Sequence, residues 1–471
     1  METIIKGGNL VIPYWGIHKA DIHIKGEKIH AISESIEDLK GKNIINVKGK
    51  FIFPGLIDPH VHLGNTFPFF EDVKSETLCA VAGGVTTILV FLKAALFGSG
   101  FPSYRQVFKK VLGDMAGLAS VDFSFHFHIP LETYIDEIPD YFKEYGIQSF
   151  KFHMGYKPSE KEMKDEYITQ RLQKISPGID DGVIYGILKK IGETSPPPLA
   201  LVHAEADDII KRTTQSSMEK GLFGLRAWDA ARPDFAEDIA VMRVAYLARK
   251  TNAPVYIVHL SSALALETVR NEKRLGTNII AETCPHYLSL ANDEANEYQE
   301  TFGKVAPPIR SKKDVEALWE GIKDGTISCV GTDHSAKPKQ AKTKDIWSSM
   351  LGMPGMETML PVMITEGTKR QIPLTRISEL CSYNAARIFQ LLPNKGTIAP
   401  GSDADLVVVD MEKEVEIKGE NLHSISGFTP YEGKRVRGWP MMTMLRGKVI
   451  YEDRNILEKG QGRFVPRFPE G

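Results

Sequence analysis

Residues 55–63 read Gly-Leu-Ile-Asp-Pro-His-Val-His-Leu, an apolar run that ends in two histidines separated by one residue. We interpret this stretch as the end of a buried strand. Side chains alternate between the two faces of a strand, so His60 and His62 project from the same face, close enough for both imidazoles to bind one metal ion. A pair of this kind, taken alone, is more often two hydrogen-bonded core histidines than a metal site. The metal interpretation therefore depends on whether the rest of the chain supplies further ligands.

The composition is that of a globular protein whose partner is a small molecule. The chain has 471 residues, of which 42% are apolar and 25% charged, enough for a large core and for more than one domain. A formal net charge of −2 gives no electrostatic reason to bind nucleic acid or an acidic membrane. The four cysteines are widely spaced and indicate neither a disulfide framework nor a cysteine zinc site. With no signal pattern at the N-terminus, we expect a cytoplasmic protein.

The order of predicted strands and helices indicates a barrel flanked by a β domain built from both ends of the chain. Short β segments joined by glycine turns fill residues 1–52, and further β segments follow in residues 396–471. Neither set can bury a core alone, so we predict that they pair in one small β-sandwich. Residues 53–395 alternate strands with helices, and eight such units predict an α/β fold of the (β/α)8 TIM-like barrel type. Residues 157–198 are longer than an ordinary loop, and we expect part of them to lie over the barrel mouth.

Polar side chains follow or interrupt the apolar strands of this predicted barrel, at the ends that build the active site in such folds. Taken singly, each has an ordinary structural explanation. Taken together they do not, because every unpaired buried polar group costs about 1–3 kcal/mol. A metal centre explains the whole set, with nitrogen and oxygen ligands that suit zinc or a similar divalent ion in a hydrolytic site. The residues are His60, His62, Lys151, His203, His259 and Asp333. The lysine could ligate only after its neutral amine has taken up carbon dioxide as a carbamate.

The motifs around these residues resemble the amidohydrolase superfamily, in its cyclic-amidase branch of dihydropyrimidinases, hydantoinases, allantoinases and dihydroorotases. The resemblance covers nearly the whole chain. It rests on Asp58-Pro59-His60-Val61-His62, the strand lysine, Val202-His203-Ala204-Glu205, Val258-His259-Leu260-Ser261-Ser262 and Gly331-Thr332-Asp333-His334-Ser335. It implies that His60, His62 and Asp333 hold one metal ion, that His203 and His259 hold the other, and that carboxylated Lys151 bridges the two. It also implies zinc as the preferred metal and a homotetramer or homodimer as the assembly.

Within this branch, the residues favour a hydantoinase over its neighbours. Dihydroorotases place an arginine two residues after the His-X-His pair, where this chain has Gly64. Tyr156 matches the tyrosine that hydantoinases and dihydropyrimidinases place over the substrate carbonyl. Against this, residues 283–287 and 306–310 resemble allantoinases at least as well. The substrate-binding residues that the resemblance and the expected mouth suggest are Tyr156, Ala306, Leu351, Leu63 and Phe152. Ala306 and Leu351 stand where hydantoinases commonly have serine and asparagine, so we expect a different pocket shape.

The function that the resemblance implies is metal-assisted opening of the ring amide of hydantoins or dihydropyrimidines to N-carbamoyl amino acids. Asp333 would act as general base and then general acid, and Tyr156 would stabilise the oxyanion. Three alternatives stay open: an allantoinase, a hydrolase of another cyclic or linear amide, and a non-catalytic scaffold of the dihydropyrimidinase-related kind. All six ligand positions are intact, which argues against the scaffold.

Overall fold

Eight parallel strands form a closed barrel in the computed structural model, which describes residues 2–37, 39–98, 101–154 and 179–468. Each strand pairs with its neighbours in chain order. The strands are Leu56–His62, Val85–Leu92, Asp122–His128, Ser149–His153, Leu199–His203, Val255–Ile257, Ile279–Thr283 and Ile327–Val330. Beyond the eighth strand, His334 and Ser335 pair with Val61 and His62 of the first, which closes the barrel. The predicted barrel is confirmed.

Helices follow most of the barrel strands and cover the outside of the sheet. The sequence predicts helices at residues 235–250 and 312–323 from their periodicity, and one at residues 70–81 that ends before Gly83 and Gly84. All three are present, and the helices at 70–81 and 235–250 are one residue longer at each end. No helix in the described part of the chain combines the length and the hydrophobicity needed to cross a membrane. The α-helices of the described residues are Phe69–Ala82, Tyr104–Met115, Ile138–Tyr145, Asp181–Glu193, Asp207–Glu219, Gly224–Ala231, Asp234–Thr251, Ala263–Arg274, Glu297–Phe302, Lys312–Lys323, Met359–Lys369, Leu374–Ser378 and Asn384–Ile388.

The barrel strands are buried on both faces, as expected for parallel strands covered by helices. One set of apolar side chains, including Leu89, Leu201 and Tyr256, packs inside the barrel together with Phe389 from the C-terminal side of the last helix. The alternate set, including Val90 and Val202, packs against the surrounding helices. The polar residues that continue the inward-facing set beyond the apolar interior therefore emerge at the carboxyl ends of the strands.

The two ends of the chain pair in one predominantly antiparallel sheet of nine strands, which confirms the predicted β domain. Strand Phe51–Pro54 joins the two halves, because it pairs with Glu2–Ile12 on one side and Leu406–Glu416 on the other. Side chains from both halves, such as Ile22 and Met444, share one apolar core. The remaining strands are Gly16–Lys25, Lys28–Ser33, Asn43–Asn46, Arg435–Leu445, Lys448–Glu452 and Asn455–Ile456.

The C-terminal tail leaves this sheet and returns to the barrel. The backbone N–H of Phe123 donates to Arg463 at 2.9 Å, and the N–H of Val465 donates back to Phe123 at 2.8 Å. The side chain of Arg467 is fully buried, and its Nε donates to Ser124 Oγ at 3.0 Å. The tail thus lies against the third barrel strand.

Candidate metal centre

The first of two candidate ligand groups joins the first barrel strand to the loop after the eighth. His60 Nε2 lies 3.2 Å and His62 Nε2 lies 3.1 Å from the same oxygen, Oδ1 of Asp333. His60 is fully buried, yet its Nε2 makes no hydrogen bond within the described part of the chain. Buried nitrogens in a packed core almost always have a hydrogen-bond partner. A buried imidazole nitrogen that faces a carboxylate in this way would suit a metal ligand.

The second group consists of His203 and His259, at the ends of the fifth and sixth strands. His203 Nδ1 and His259 Nε2 are 2.9 Å apart, and both residues border the same cavity as Asp333. Burial lowers the pKa of both imidazoles, which favours the neutral form. The neutral form is the one that binds a metal ion.

The spacing within both groups fits divalent ions. Two ligand atoms bound to one zinc ion at about 2.0–2.1 Å, with an angle of roughly 90–110° between them, lie about 2.9–3.4 Å from each other. The three observed separations, 2.9, 3.1 and 3.2 Å, fall in this range. The residues present can therefore hold the two metal ions that the sequence resemblance implies.

Glu282 orients the first histidine. Its Oε1 lies 2.6 Å from His60 Nδ1 and accepts the backbone N–H of His259 at 3.0 Å, while its Oε2 accepts the hydroxyl of Tyr256 at 2.7 Å. Burial acts to lower the pKa of His60, but the carboxylates of Glu282 and Asp333 raise it to about 9. The bond at Nδ1 leaves Nε2 directed at Asp333, which is how carboxylates orient metal-binding histidines.

Glu205 orients His203 in the second group. Its Oε2 lies 2.8 Å from His203 Nε2, and its other oxygen accepts Arg232 Nε at 3.1 Å. Burial acts to raise the pKa of Glu205, but Arg232 and His203 lower it to about 2. An ionised Glu205 therefore holds Nε2 of His203 and leaves Nδ1 facing His259.

Lys151 faces the same cavity from the fourth strand. It is 1% exposed, and its Nζ lies 4.7 Å from the centre of the Phe91 ring. Burial lowers the pKa of Lys151 to about 7, even though Asp333 and Glu282 act in the opposite direction. A large share of the side chain is then a neutral amine near pH 7, and this is the form that reacts with carbon dioxide.

Two of the ligand candidates have left-handed backbone conformations, with φ of 42° at His259 and 51° at Asp333. Such conformations are rare and strained for residues other than glycine, and they cluster at functional sites. Tyr256 and Val258 belong to the apolar interior of the barrel, so strict alternation would turn His259 outward. The left-handed turn instead brings its imidazole to the cavity.

The cavity at the carboxyl ends of the strands has a volume of about 410 Å³, within the range of small-molecule sites. Ala306 and Leu351 line its wall, in addition to the ligand candidates His62, Lys151, His203, His259 and Asp333. Tyr156 lies outside the described residues, as does the stretch from 157 to 178, so their predicted places at the mouth stay predictions.

Leu63 and Phe152 are not among the described residues that line the cavity, in contrast to the prediction. Both are buried in the apolar core between barrel and helices, with exposures of 1% and 0%. The reason is the twofold alternation of a strand. His62 and Lys151 point inward, so the side chain that follows each of them points to the opposite face.

The sequence interpretation missed Glu282 and Lys93. Glu282 ends the predicted strand of residues 278–282, and Lys93 directly follows an apolar strand. Each could have been found by the criterion that selected the ligand candidates, namely a polar residue at the end of an apolar strand.

Comparisons with known proteins identify the family. The sequence model of the amidohydrolase family matches residues 51–450. The D-hydantoinase of Geobacillus stearothermophilus is 31% identical over 100% of this chain and 98% of its own length. The L-hydantoinase of Paenarthrobacter aurescens is 30% identical over 99% of this chain and 98% of its own. The crystal structure of dihydropyrimidinase from Brevibacillus agri covers 100% of both chains, with a TM-score of 0.87 and 27% identity. The chain therefore belongs to the amidohydrolase family.

Proposed function

We propose that this protein is a binuclear-metal hydrolase that opens the ring amide of hydantoins or dihydropyrimidines to N-carbamoyl amino acids. The observation that carries the proposal is the convergence of four histidines, a lysine and an aspartate at the carboxyl ends of the barrel strands. Similarity to hydantoinases over the full chain length supports the cyclic amide as the substrate.

We assign His60, His62 and Asp333 to one ion, and His203 and His259 to the other. Nitrogen and oxygen ligands without thiolate suit zinc in a hydrolytic site. Lys151, as a carbamate, would bridge the two ions, and its lowered pKa supplies the neutral amine that carbamate formation needs. When bound, such ions lower the pKa of water to about 7 and polarise the scissile carbonyl.

Asp333 is the proton carrier in this proposal. Burial acts to raise the pKa of its carboxyl, but His60 and His62 hold it well below its usual range, so the group is ionised and can accept a proton. It takes the proton of the attacking water and passes it to the ring nitrogen as the carbon–nitrogen bond breaks. The carbonyl carbon keeps the hydroxyl and becomes a carboxylic acid, which releases a proton at neutral pH, and the ring nitrogen becomes the NH2 of the carbamoyl group, so the added water is accounted for.

The wall of the cavity orients the ring. Ala306 and Leu351 line it, and their side chains have no hydrogen-bonding group, so we assign ring binding there to backbone groups. Tyr156 is proposed as the hydroxyl that stabilises the oxyanion, a contribution that in other enzymes is worth about 10²–10³ in rate.

We also propose a cytoplasmic homotetramer or homodimer. All four cysteines are unbridged and buried, as in proteins of reducing compartments. One face of helix Asp234–Thr251 exposes Phe235, Ile239, Met242 and Tyr246, each by 47–51%. An apolar row of this kind is typical of a surface that another subunit covers.

The test is hydrolysis by protein supplied with zinc and bicarbonate, with 5-phenylhydantoin, dihydrouracil, allantoin and dihydroorotate as substrates. We expect opening of the first two. Opening of allantoin alone would place the protein in the neighbouring branch, and inactivity on all four with both ions bound would refute the substrate class. Protein that binds no metal would support the scaffold alternative.

The variant Lys151→Ala tests the role of this lysine in activity and metal binding. We expect activity to fall at least 10³-fold and metal content to drop by about one ion per chain, because the bridge between the ions is lost. Lys323→Ala removes an exposed lysine on helix Lys312–Lys323 and serves as the control with unchanged activity. Intact-mass measurement of native protein checks the carbamate directly.

A further inference from the structure

Two lysines that are not ligand candidates line the cavity. Lys93 comes directly after the second barrel strand, and Lys337 comes shortly after the short strand His334–Ser335. These two segments flank the first strand, which carries His60 and His62, on its two sides. The cavity therefore has a cationic side chain on either side of one candidate metal group.

Lys93 belongs to the inward-facing set of its strand. Leu89 and Phe91 pack inside the barrel, and Lys93 continues the same alternation at the point where the barrel opens. The side chain is 5% exposed, and its Nζ donates to Asn65 Oδ1 at 2.7 Å. Within residues 2–37, 39–98, 101–154 and 179–468, no carboxylate forms an ion pair with it.

A buried ammonium group paired with a neutral amide is costly. Buried charges in proteins are normally paired with opposite charges, because desolvation is otherwise uncompensated. Burial lowers the pKa of Lys93 to about 8, so the group is still mainly protonated at neutral pH. An anionic group of a ligand in the cavity would supply the missing partner.

Lys337 reaches the same loop from the other side. Its Nζ donates to Thr66 Oγ1 at 2.8 Å, while Lys93 donates to the adjacent residue, Asn65. Among the described residues that line the cavity, the one carboxylate is Asp333, which contacts His60 and His62. Behind the loop of residues 64–66, Asp72 accepts the N–H of Gly64 at 2.8 Å and interacts with the charge of Lys337. The positive charge that has no carboxylate neighbour among the described residues is therefore that of Lys93.

We infer that the substrate of this site carries a carboxylate on the ring substituent, and that Lys93 and Lys337 bind it. The inference rests on the proposed function, since it names the class of ring amide that the cavity selects. Hydrogen bonds between an ammonium and a carboxylate are roughly twice as strong as neutral ones, so the lysines would favour an acidic substituent over its neutral amide.

The test compares two hydantoins of the same size, one with a 5-(2-carboxyethyl) and one with a 5-(2-carbamoylethyl) substituent. We expect kcat/KM to be about 10–100-fold higher for the acid, an advantage that decreases with added salt. Hydrolysis of the amide as fast as the acid would overturn the inference and leave the proposed function standing. Inactivity on both, and on 5-phenylhydantoin, would refute the proposed function itself.

Variants of Lys93 and Lys337 then test whether these residues cause the preference for the acidic substrate. Lys93→Met and Lys337→Met preserve side-chain length without charge, and we expect each to lower the acid-to-amide ratio of kcat/KM about tenfold. Lys323→Met, at the exposed site on helix Lys312–Lys323, should keep the wild-type ratio. An equal loss on both substrates would mean that the lysines act on the ring and would overturn the inference. The wild-type comparison decides the question even if a variant fails to fold.

Discussion

Replacement of Glu282 by glutamine tests the link between this buried carboxylate and metal binding. Glu282 is fully buried and accepts three hydrogen bonds, from His60 Nδ1, the N–H of His259 and the hydroxyl of Tyr256. In Glu282→Gln, the amide oxygen can still accept from His60 and His259. The new NH2 group faces Tyr256, whose hydroxyl can rotate to accept. The shape is preserved, and the charge beside His60 is lost.

The expected losses of stability and of metal affinity follow from these contacts. The bond to His60 loses the charge of the carboxylate, which lowers its contribution from about 1.5–3 towards about 0.5–1.5 kcal/mol. We therefore expect a stability loss of about 1–2 kcal/mol and metal affinity 10–100-fold weaker, the usual effect of removing a carboxylate behind a metal-binding histidine. Glu282→Leu leaves three buried donors without an acceptor and should cost at least about 3 kcal/mol.

The assay is competition for zinc with a chromophoric chelator, combined with thermal unfolding of the metal-free protein. Tyr256→Phe is the matched control, because it removes one hydrogen bond to Glu282 Oε2 and leaves the contact of Oε1 with His60. We expect its zinc affinity to change less than threefold. Wild-type affinity in Glu282→Gln, or an equal loss in Tyr256→Phe, would refute the reasoning.

Two further predictions concern stability. Lys434, Lys369 and Arg370 outweigh burial and lower the pKa of Glu366 to about 2 from its usual value near 4.5. Its ionised form then stabilises the fold by about 3 kcal/mol above pH 4.5, and this is lost as the pH falls towards 2. The difference in Tm between wild type and Glu366→Gln should accordingly be largest near pH 7 and shrink below pH 5. A Tm difference that does not change with pH would contradict this prediction. Arg467→Ala should cost about 3 kcal/mol and expose the tail to proteolysis, because Ser124 and Phe125 lose a buried donor; an unchanged Tm would show that the tail contributes little.

Local patterns account for most of what could be predicted about the fold. Alternating apolar strands and periodic helices sufficed for the barrel, and helix Lys312–Lys323 begins and ends where its periodicity predicts. The ligand candidates were found because they too follow a local pattern in the sequence. A histidine, lysine or aspartate that ends an apolar strand is conspicuous in the chain, and the carboxyl ends of parallel strands meet at one edge.

The same local rule shows why the prediction for Leu63 and Phe152 was wrong. Their neighbours His62 and Lys151 face the cavity, so alternation directs both apolar side chains to the helices, as observed. At His259, by contrast, alternation alone misleads, because the φ of 42° redirects the side chain. That turn is stabilised by a hydrogen bond from the His259 N–H to Glu282.

The sequence by itself determined the barrel, the paired ends of the chain and the residue types that meet at the mouth, because each depends on periodicity within a few residues. Only the tertiary structure decided which side chains contact one another there. Glu282 lies 222 residues from His60 in the chain, and the contact between them is a product of barrel closure. The positions of Lys93 and Lys337 on either side of one loop have the same origin. Strand order and closure bring distant residues together, and no local pattern specifies such a contact.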